Sequence, residues 1–157
     1  MTIFQKFLIC RKKENMVFFP WKEEYEIGIR EVDEQHRELF SLINELYEAM
    51  KEGKGRETVH RVLEGFIEHV QLHFQTEEKW MEKYGYPGLL THRAQHENLT
   101  KKVMEMEKNF MNAPPGFSIK LANFLREWLH NHILGSDRRF GEYLDEDRNR
   151  ADKHRSR

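Results

Sequence analysis

The sequence predicts an all-α protein, an antiparallel up-down-up-down four-helix bundle with an N-terminal arm. Apolar residues recur at spacings of three and four in four segments of about 20 to 30 residues, the pattern of amphipathic helices. Short stretches containing glycine or proline, KEGKG, YGYPG and APPG, separate the segments and are typical of turns. The apolar–polar alternation of a half-buried strand is absent from the sequence. Short turns between long helices favour antiparallel neighbours.

The first two helices each have one apolar face. The first is predicted to start near Asp33, a residue type that caps helix N-termini, and the second to run from about Glu57 to Tyr84. The first face contains Val32, His36, Leu39, Phe40, Ile43, Leu46, Tyr47 and Met50. The second face contains Val59, Val62, Leu63, Phe66, Val70, Trp80 and Met81.

The third and fourth helices complete the predicted bundle. The third has alternating gaps of three and four, as in the seam of a bundle helix. Its face contains Leu89, His92, His96, Leu99, Val103, Met106 and Phe110. The fourth contains Phe117, Leu121, Phe124, Leu125, Trp128 and His132. Before the first helix, the aromatic content around Trp21 favours an arm that packs on the bundle over an exposed linker.

We expect one domain with two flanking regions. These are a flexible leader of residues 1–17, the bundle of residues 18–145 and a charged tail of residues 146–157. The chain after Leu144 is polar and charged, so we expect its helix to fray there. The leader, MTIFQKFLICRKKEN, lacks a basic start, a full apolar region and a small-residue cleavage site, so it is a poor signal peptide. Met16 is an alternative start to Met1.

The composition excludes several classes of protein. A net charge of −1 with 34% charged residues gives a solvated surface without overall attraction to nucleic acid or anionic lipid. No apolar run approaches the ~20 residues needed to span a bilayer. A single cysteine, Cys10, excludes a disulfide framework or a thiolate metal cluster and fits a reducing compartment. We therefore expect a cytoplasmic protein with no nucleic-acid or membrane partner. The oligomeric state is left open, with a monomer favoured.

Histidine is the unusual residue type, with nine in the chain. The core-facing stripes of all four helices carry one or more: His36, His73, His92, His96 and His132. Glu77 follows His73 by one turn, and Asp137 follows His132 by five residues, whereas Glu78 should point off the stripe. An unpaired buried carboxylate is costly. A hydrogen-bonded polar layer would struggle to satisfy all these groups without a cation.

The ligand types indicate a metal pair. Nitrogen and oxygen ligands without sulfur suit iron, zinc, manganese or copper, and the seven side chains are too many for one ion. Two octahedral ions offer about twelve positions, of which bridging carboxylates fill four, imidazoles five, and a bridging oxide or hydroxide two. One position stays open on the ion with fewer histidines. The sequence therefore predicts a dinuclear site that binds one small molecule.

The spacing of Asp137 from His132 does not fit a regular helix. Five residues turn an ideal helix by about 500°, which leaves Asp137 about 140° away from His132. Both side chains can reach one site only if the helix widens or breaks between them. Gly135 lies between them and weakens a helix interior. We predict a local distortion over residues 134–136.

Four histidines lie outside this set: His60, His69, His130 and His154. His130 faces about 200° away from His132 around the helix, so both cannot face the same core. His60 is predicted at the surface. His69 lies one turn before His73, and we interpret it as a boundary residue or a hydrogen-bonding partner rather than a ligand.

The stretches VDEQH, HFQTEEKWM, THRAQH and WLHNHILGSD together carry the full pattern H…HxxxE…HxxxH…HxxxxD. This pattern, over about residues 18–143, resembles the hemerythrin family. The resemblance implies a non-haem di-iron centre that binds O2 reversibly. Three histidines would hold one iron and two the other, which keeps an open position: His92, His96 and His132 for the first, His36 and His73 for the second. Glu77 and Asp137 would bridge the two Fe ions with an oxo or hydroxo group.

The resemblance also implies an apolar O2 pocket, although ordinary core packing explains the same residues: Leu39, Trp128, Ile133 and Leu134. The implied function is O2 storage, delivery or scavenging, not catalysis, with small anions or nitric oxide as further ligands. The alternatives are a di-iron oxidase or peroxidase, and a free-standing O2 or redox sensor that acts on a partner. Ferritin-like enzymes use four carboxylates and paired ExxH motifs. Two such strings occur, Glu57 to His60 and Glu127 to His130, but they lie off the metal stripe.

Overall fold

A computed structural model describes residues 17–155, so Met1, Met16 and nearly all of the predicted leader lie outside the described residues. Helices α1 to α4 span Arg30–Lys51, Arg56–Lys83, Leu89–Phe110 and Phe117–His132. A π-helical segment, Ile133–Asp137, then leads into α5, Arg138–Arg155. A short 3₁₀ turn, Glu23–Tyr25, precedes α1.

The described residues confirm the predicted all-α four-helix bundle. Helix α1 packs against α2 and α4, α2 also packs against α3, and α4, the π-helical segment and α5 follow one another as the fourth member. Residues 17–155 contain no strand, and none of their helices has an apolar stretch that could cross a lipid bilayer. The largest fully buried side chains include Phe40, Phe66, Phe110, Phe140, Leu39, Ile43, Leu46 and Leu63.

The start of α1 differs from the prediction that Asp33 caps it. The helix begins at Arg30, and Asp33 lies buried in its first turn. The Asp33 carboxylate accepts hydrogen bonds from the backbone N–H groups of Ile27 at 2.8 Å and Gly28 at 3.1 Å. These bonds fold the incoming chain onto the helix end. Asp33 therefore satisfies donors outside the helix rather than those of its own first turn.

The turn after α2 depends on a glycine with positive φ. Gly85 has a φ of 60°, and the N–H of Tyr86 returns to the carbonyl of Met81 at 2.9 Å. This is the Schellman arrangement, in which a left-handed residue ends the helix and glycine adopts that conformation without a Cβ penalty. Gly53, with a φ of 67°, ends α1 in the same way. These turns reverse the chain between adjacent helices.

The N-terminal arm packs along the bundle, which confirms the interpretation of its aromatic residues. Phe19 and Trp21 both contact Phe40 of α1, with ring centroids 3.9 Å and 5.0 Å away. Tyr25 is buried against the same ring, and its hydroxyl lies 3.0 Å from Nδ1 of His130 on α4. The arm therefore connects α1 to α4.

The expected fraying after Leu144 was wrong, because α5 continues to Arg155. The segment after Leu144 contains no glycine or proline to interrupt a helix. Phe140 and Leu144 are both buried and anchor its first turns in the core. Oppositely charged side chains three residues apart, such as Asp145 and Arg148 at 3.5 Å, add a modest stabilisation.

The arm backbone passes directly over Gly141 of α5. A Cβ at this position would lie 2.5 Å from the Ile27 carbonyl oxygen, too close for a real contact. We predict that Gly141→Ala displaces the arm and lowers the free energy of unfolding by about 1–3 kcal/mol, the usual effect of overpacking. Urea denaturation measures this change.

Gly65→Ala in α2 is the matched control, because nothing lies within 4 Å of the added Cβ. It should stabilise the protein by about 0.5–1 kcal/mol, since alanine favours a helix interior over glycine. If both substitutions changed stability alike, the close contact between Gly141 and Ile27 would have no energetic effect.

Candidate metal centre

All seven side chains predicted to bind metal meet in the bundle core. They are contributed by every helix of the bundle and by the π-helical segment: His36, His73, Glu77, His92, His96, His132 and Asp137. None is more than 6% exposed. The polar cluster is therefore enclosed by the same helices whose apolar residues form the core.

Asp137 reaches the cluster because the helix widens before it. The π-helical segment Ile133–Asp137 confirms the predicted distortion around Gly135. A π-helix pairs residues five apart, so it brings the fifth residue along to the same side as His132. Oδ1 of Asp137 lies 3.1 Å from Nε2 of His132. A regular helix would have turned the two side chains to different faces.

The seven side chains divide into two groups. The three-histidine group consists of Glu77, His92, His96 and His132. The two-histidine group consists of His36, His73, Glu77 and Asp137. Within each group, one nitrogen or oxygen atom from every residue lies within 4.8 Å of the others. Three of the five histidines therefore lie in one group and two in the other.

Both carboxylates direct one oxygen to each group. Oε1 of Glu77 lies 3.3 Å from Nε2 of His73, and its Oε2 lies 3.1 Å from Nε2 of His96. Oδ2 of Asp137 lies 3.3 Å from Nε2 of His36, whereas its Oδ1 faces the three-histidine group. A carboxylate that divides its oxygens in this way has the arrangement of a bridging ligand between two cations.

Several buried atoms of the cluster have no hydrogen-bond partner. They are Nδ1 and Nε2 of His36, Nε2 of His73, Oε1 of Glu77 and both carboxylate oxygens of Asp137. Neighbouring atoms approach within 3.5 Å, as in His36 Nε2 and Glu77 Oε1, but not at hydrogen-bonding angles. Each unsatisfied buried group costs on the order of 1–3 kcal/mol. Cations bound by the Nε2 and carboxylate oxygen atoms would satisfy every atom of this set except Nδ1 of His36, so the residues fit a metal pair.

The charges of the metal-free cluster favour a cation. Burial opposes protonation of His36, but Asp137 and Glu77 outweigh it and raise its pKa to about 9. Burial lowers the pKa of His73 to about 3, with only partial opposition from the charge of Glu77. Burial and the charge of Glu77 raise the pKa of Asp137, but contacts with His132 and His36 prevail and lower it to about 2. Burial likewise opposes ionisation of Glu77, yet its histidine neighbours lower its pKa.

Two of the clustered histidines have a hydrogen-bond partner at Nδ1. Nδ1 of His73 lies 3.2 Å from Oε1 of Gln35, whose amide donates to Oγ of Thr76 at 3.1 Å. Nδ1 of His96 lies 3.0 Å from a carboxylate oxygen of Glu78. Both partners accept through oxygen, so each ring carries its hydrogen on Nδ1 and leaves Nε2 available to a metal.

Sequence reasoning missed these partners. It predicted different environments for the adjacent acids, and Glu77 is fully buried whereas the side chain of Glu78 is 21% exposed. It did not predict that Glu78 contacts His96 from outside the cluster. In the sequence, only its position next to His36 marks Gln35 as a residue near the site. The periodicity of α1 does not show which residue of α2 Gln35 contacts.

Aromatic rings cover the three-histidine group. Phe74, which sequence reasoning also missed, stacks on His96 with ring centroids 3.6 Å apart. Trp128 stacks on His132 at 4.3 Å and contacts Phe74 at 5.7 Å. The other residues of the predicted O2 pocket lie in the apolar core or against it: Leu39, Ile133 and Leu134. Leu39 and Ile133 are buried, whereas Trp128 and Leu134 are half-buried.

Three further histidines lie outside the cluster: His60, His69 and His130. The side chain of His69 is 47% exposed, and its Nδ1 contacts a backbone carbonyl one turn earlier at 3.0 Å. His60 was expected at the surface, but its side chain is only 23% exposed and pairs with Glu107. His130 contacts Tyr25 of the arm. The two ExxH strings therefore have their histidines away from the seven clustered side chains.

Comparison with known proteins identifies the family. Residues 27–144 match the hemerythrin family model, described as the hemerythrin HHE cation binding domain. The chain belongs to the hemerythrin family. It is 31% identical over 131 residues to bacteriohemerythrin of Clostridium acetobutylicum, in an alignment that covers 81% of this chain and 99% of that protein. It is 33% identical over 129 residues to bacteriohemerythrin of Stenotrophomonas maltophilia, over 82% of this chain and 83% of that protein.

Solved hemerythrin structures are similar to this chain. Wild-type hemerythrin matches with a TM-score of 0.73 at 29% identity, and the match covers 80% of this chain and 96% of the hemerythrin chain. A leucine-to-tyrosine variant of hemerythrin gives a TM-score of 0.74 at 28% identity, over 81% of this chain and 97% of that one. The family match over residues 27–144 contains all seven clustered side chains.

The metal-free chain should be most stable near pH 6.5, the ordinary pKa of histidine. The folded pKa of His36 is about 9, so its stabilisation is complete below 6.5 and is lost as pH rises through 9. The folded pKa of His73 is about 3, so its contribution is complete above 6.5 and is lost as pH falls to 3. Asp137 adds to the acid loss between 3.8 and about 2.

Urea denaturation of chelator-treated protein across this pH range measures the profile. His69→Ala should keep the same profile, because His69 lies outside the cluster. A flat profile for the wild-type chain would show that the clustered side chains do not titrate as their surroundings require.

Proposed function

We propose that this hemerythrin-family chain binds O2 reversibly at a non-haem di-iron centre, for oxygen storage, delivery or scavenging. The observation that carries the proposal is the division of both carboxylates between a three-histidine and a two-histidine group. Two ferrous ions bound there would supply the two electrons that O2 takes up on binding. The similarity to bacteriohemerythrins supports this function.

In this proposal the two groups hold different irons. His92, His96 and His132 would hold one iron, and His36 and His73 the other, with Glu77, Asp137 and an oxo or hydroxo group as bridges. Imidazoles are neutral ligands, so the five of them add no negative charge to the core. The two-histidine group supplies one ligand fewer, which leaves a position for O2. Small anions or nitric oxide would compete for the same position.

The chain would keep this position dry. His36 and His73 are at most 1% exposed, and the proposed O2 pocket has apolar walls: Leu39, Trp128, Ile133 and Leu134. Exclusion of water strengthens electrostatic interactions inside the site and removes a source of protons. Protons would convert reversible binding into lasting oxidation of the centre, so the apolar walls support an O2 carrier.

Anaerobic reduction, followed by cycles of O2 addition and removal, tests the proposal. We expect two irons per chain, one for each group, and absorption bands that appear with O2 and vanish on its removal. Oxidation that does not reverse, with turnover of an added reductant, would indicate an oxidase or peroxidase instead. Binding of zinc alone, or of no metal, would refute the di-iron centre.

His73→Ala and His69→Ala form a matched pair one turn apart on α2. His73→Ala removes one of the two histidines proposed to hold the O2-binding iron, so iron content should fall towards one per chain and the O2 bands should disappear. His69→Ala should retain both irons, because His69 is half-exposed and outside the cluster. Atomic absorption and O2 difference spectra measure both effects. Equal iron loss in the two variants would contradict the ligand assignment.

A further inference from the structure

The two histidine groups have outer hydrogen-bond partners of different charge. In the three-histidine group, Nδ1 of His96 meets the carboxylate of Glu78 at 3.0 Å. In the two-histidine group, Nδ1 of His73 meets the neutral amide oxygen of Gln35 at 3.2 Å. The fold thus places a full negative charge behind one group and only a dipole behind the other.

Arg93 of α3 holds the Glu78 carboxylate in place. Its Nε donates to one oxygen of Glu78 at 2.8 Å, and the other oxygen accepts from His96. A second carboxylate, Glu82, accepts from Nη2 of the same guanidinium at 2.7 Å. Because the paired Glu78 is an anion that can only accept, the hydrogen between Glu78 and His96 belongs to Nδ1 of His96.

We propose that Glu78 is a positioning residue that strengthens His96 as a ligand and thereby favours the oxidised state of the three-histidine iron. This inference rests on the proposed di-iron function. A histidine that donates its Nδ1 hydrogen to a carboxylate is fixed in orientation and is more basic at Nε2. The more highly charged ferric ion gains more from a basic ligand than the ferrous ion does.

Gln35 gives His73 the same orientation with a weaker electrostatic effect, because an amide oxygen carries no net charge. Gln35 is itself held by Thr76, whose hydroxyl donates to the Leu72 carbonyl at 3.0 Å. The amide of Gln35 is therefore oriented with its oxygen towards His73. The chain orients a histidine in both groups but adds charge to only one, so the two irons should differ in their ease of oxidation.

Glu78→Gln tests this inference, because glutamine keeps an oxygen acceptor for His96 and removes only the charge. We expect the variant to keep both irons and its oxidation equilibrium to shift on the order of tenfold towards the reduced state. For a one-electron step this corresponds to a potential about 59 mV higher. Spectroelectrochemical titration and iron analysis of the loaded protein measure the two quantities. An unchanged potential with both irons bound overturns the inference.

Glu97→Gln is the matched control. Glu97 is exposed and adjacent to His96 in the sequence, so this variant removes the same charge but leaves the acceptor of the His96 ring in place. We expect the wild-type potential. If Glu97→Gln and Glu78→Gln shifted the potential equally, net charge alone would account for the shift, and the role of Glu78 would be overturned.

Gln35→Glu tests the same effect in the two-histidine group. It replaces Glu78→Gln as the decisive test if that variant fails to retain iron. A carboxylate that accepts from Nδ1 of His73 should lower the potential by an amount comparable to the rise expected for Glu78→Gln. An unchanged or higher potential overturns the inference. A wild-type chain that takes up no iron pair overturns the proposed function, and iron analysis reveals that outcome before any potential is measured.

Discussion

Two ionised carboxylates in the middle of a helical bundle are the constraint on which the rest of the structure depends. Glu77 and Asp137 have no exposed surface, and a buried charge without compensation strongly destabilises a fold. Five imidazoles from four helices surround them, and both carboxylates face two groups of histidines at once. The charges are offset only when all the helices are in register. The helix packing that forms the bundle core therefore also brings the side chains of the candidate centre together.

The backbone adapts to this constraint in one place. The π-helical segment Ile133–Asp137 gives up regular helical hydrogen bonding and brings Asp137 beside His132. The N-terminal arm is tied to the chain on both sides of this segment. Tyr25 contacts His130 before it, and the backbone carbonyl of Glu24 accepts a hydrogen bond from Arg138 after it. The arm thus supports the stretch of chain that presents the second carboxylate.

Metal binding and protonation are linked in this centre. In the metal-free chain His36 takes up a proton because Asp137 and Glu77 are close, whereas His73 stays neutral because it is buried. A metal requires neutral imidazoles and ionised carboxylates, so its binding would release the proton of His36. Gln35 and Glu78 fix two of the ring orientations through Nδ1 and reduce the rearrangement that binding requires.

The sequence by itself determined the four helices, the seven inward polar side chains and the distortion at Gly135, because each follows from helical geometry within one segment. Tertiary structure decided the start of α1, where Asp33 binds the incoming arm. It also decided that Gln35 serves the two-histidine group and Glu78 the three-histidine group. These contacts depend on the rotation and offset of neighbouring helices, which the periodicity of a single helix does not encode.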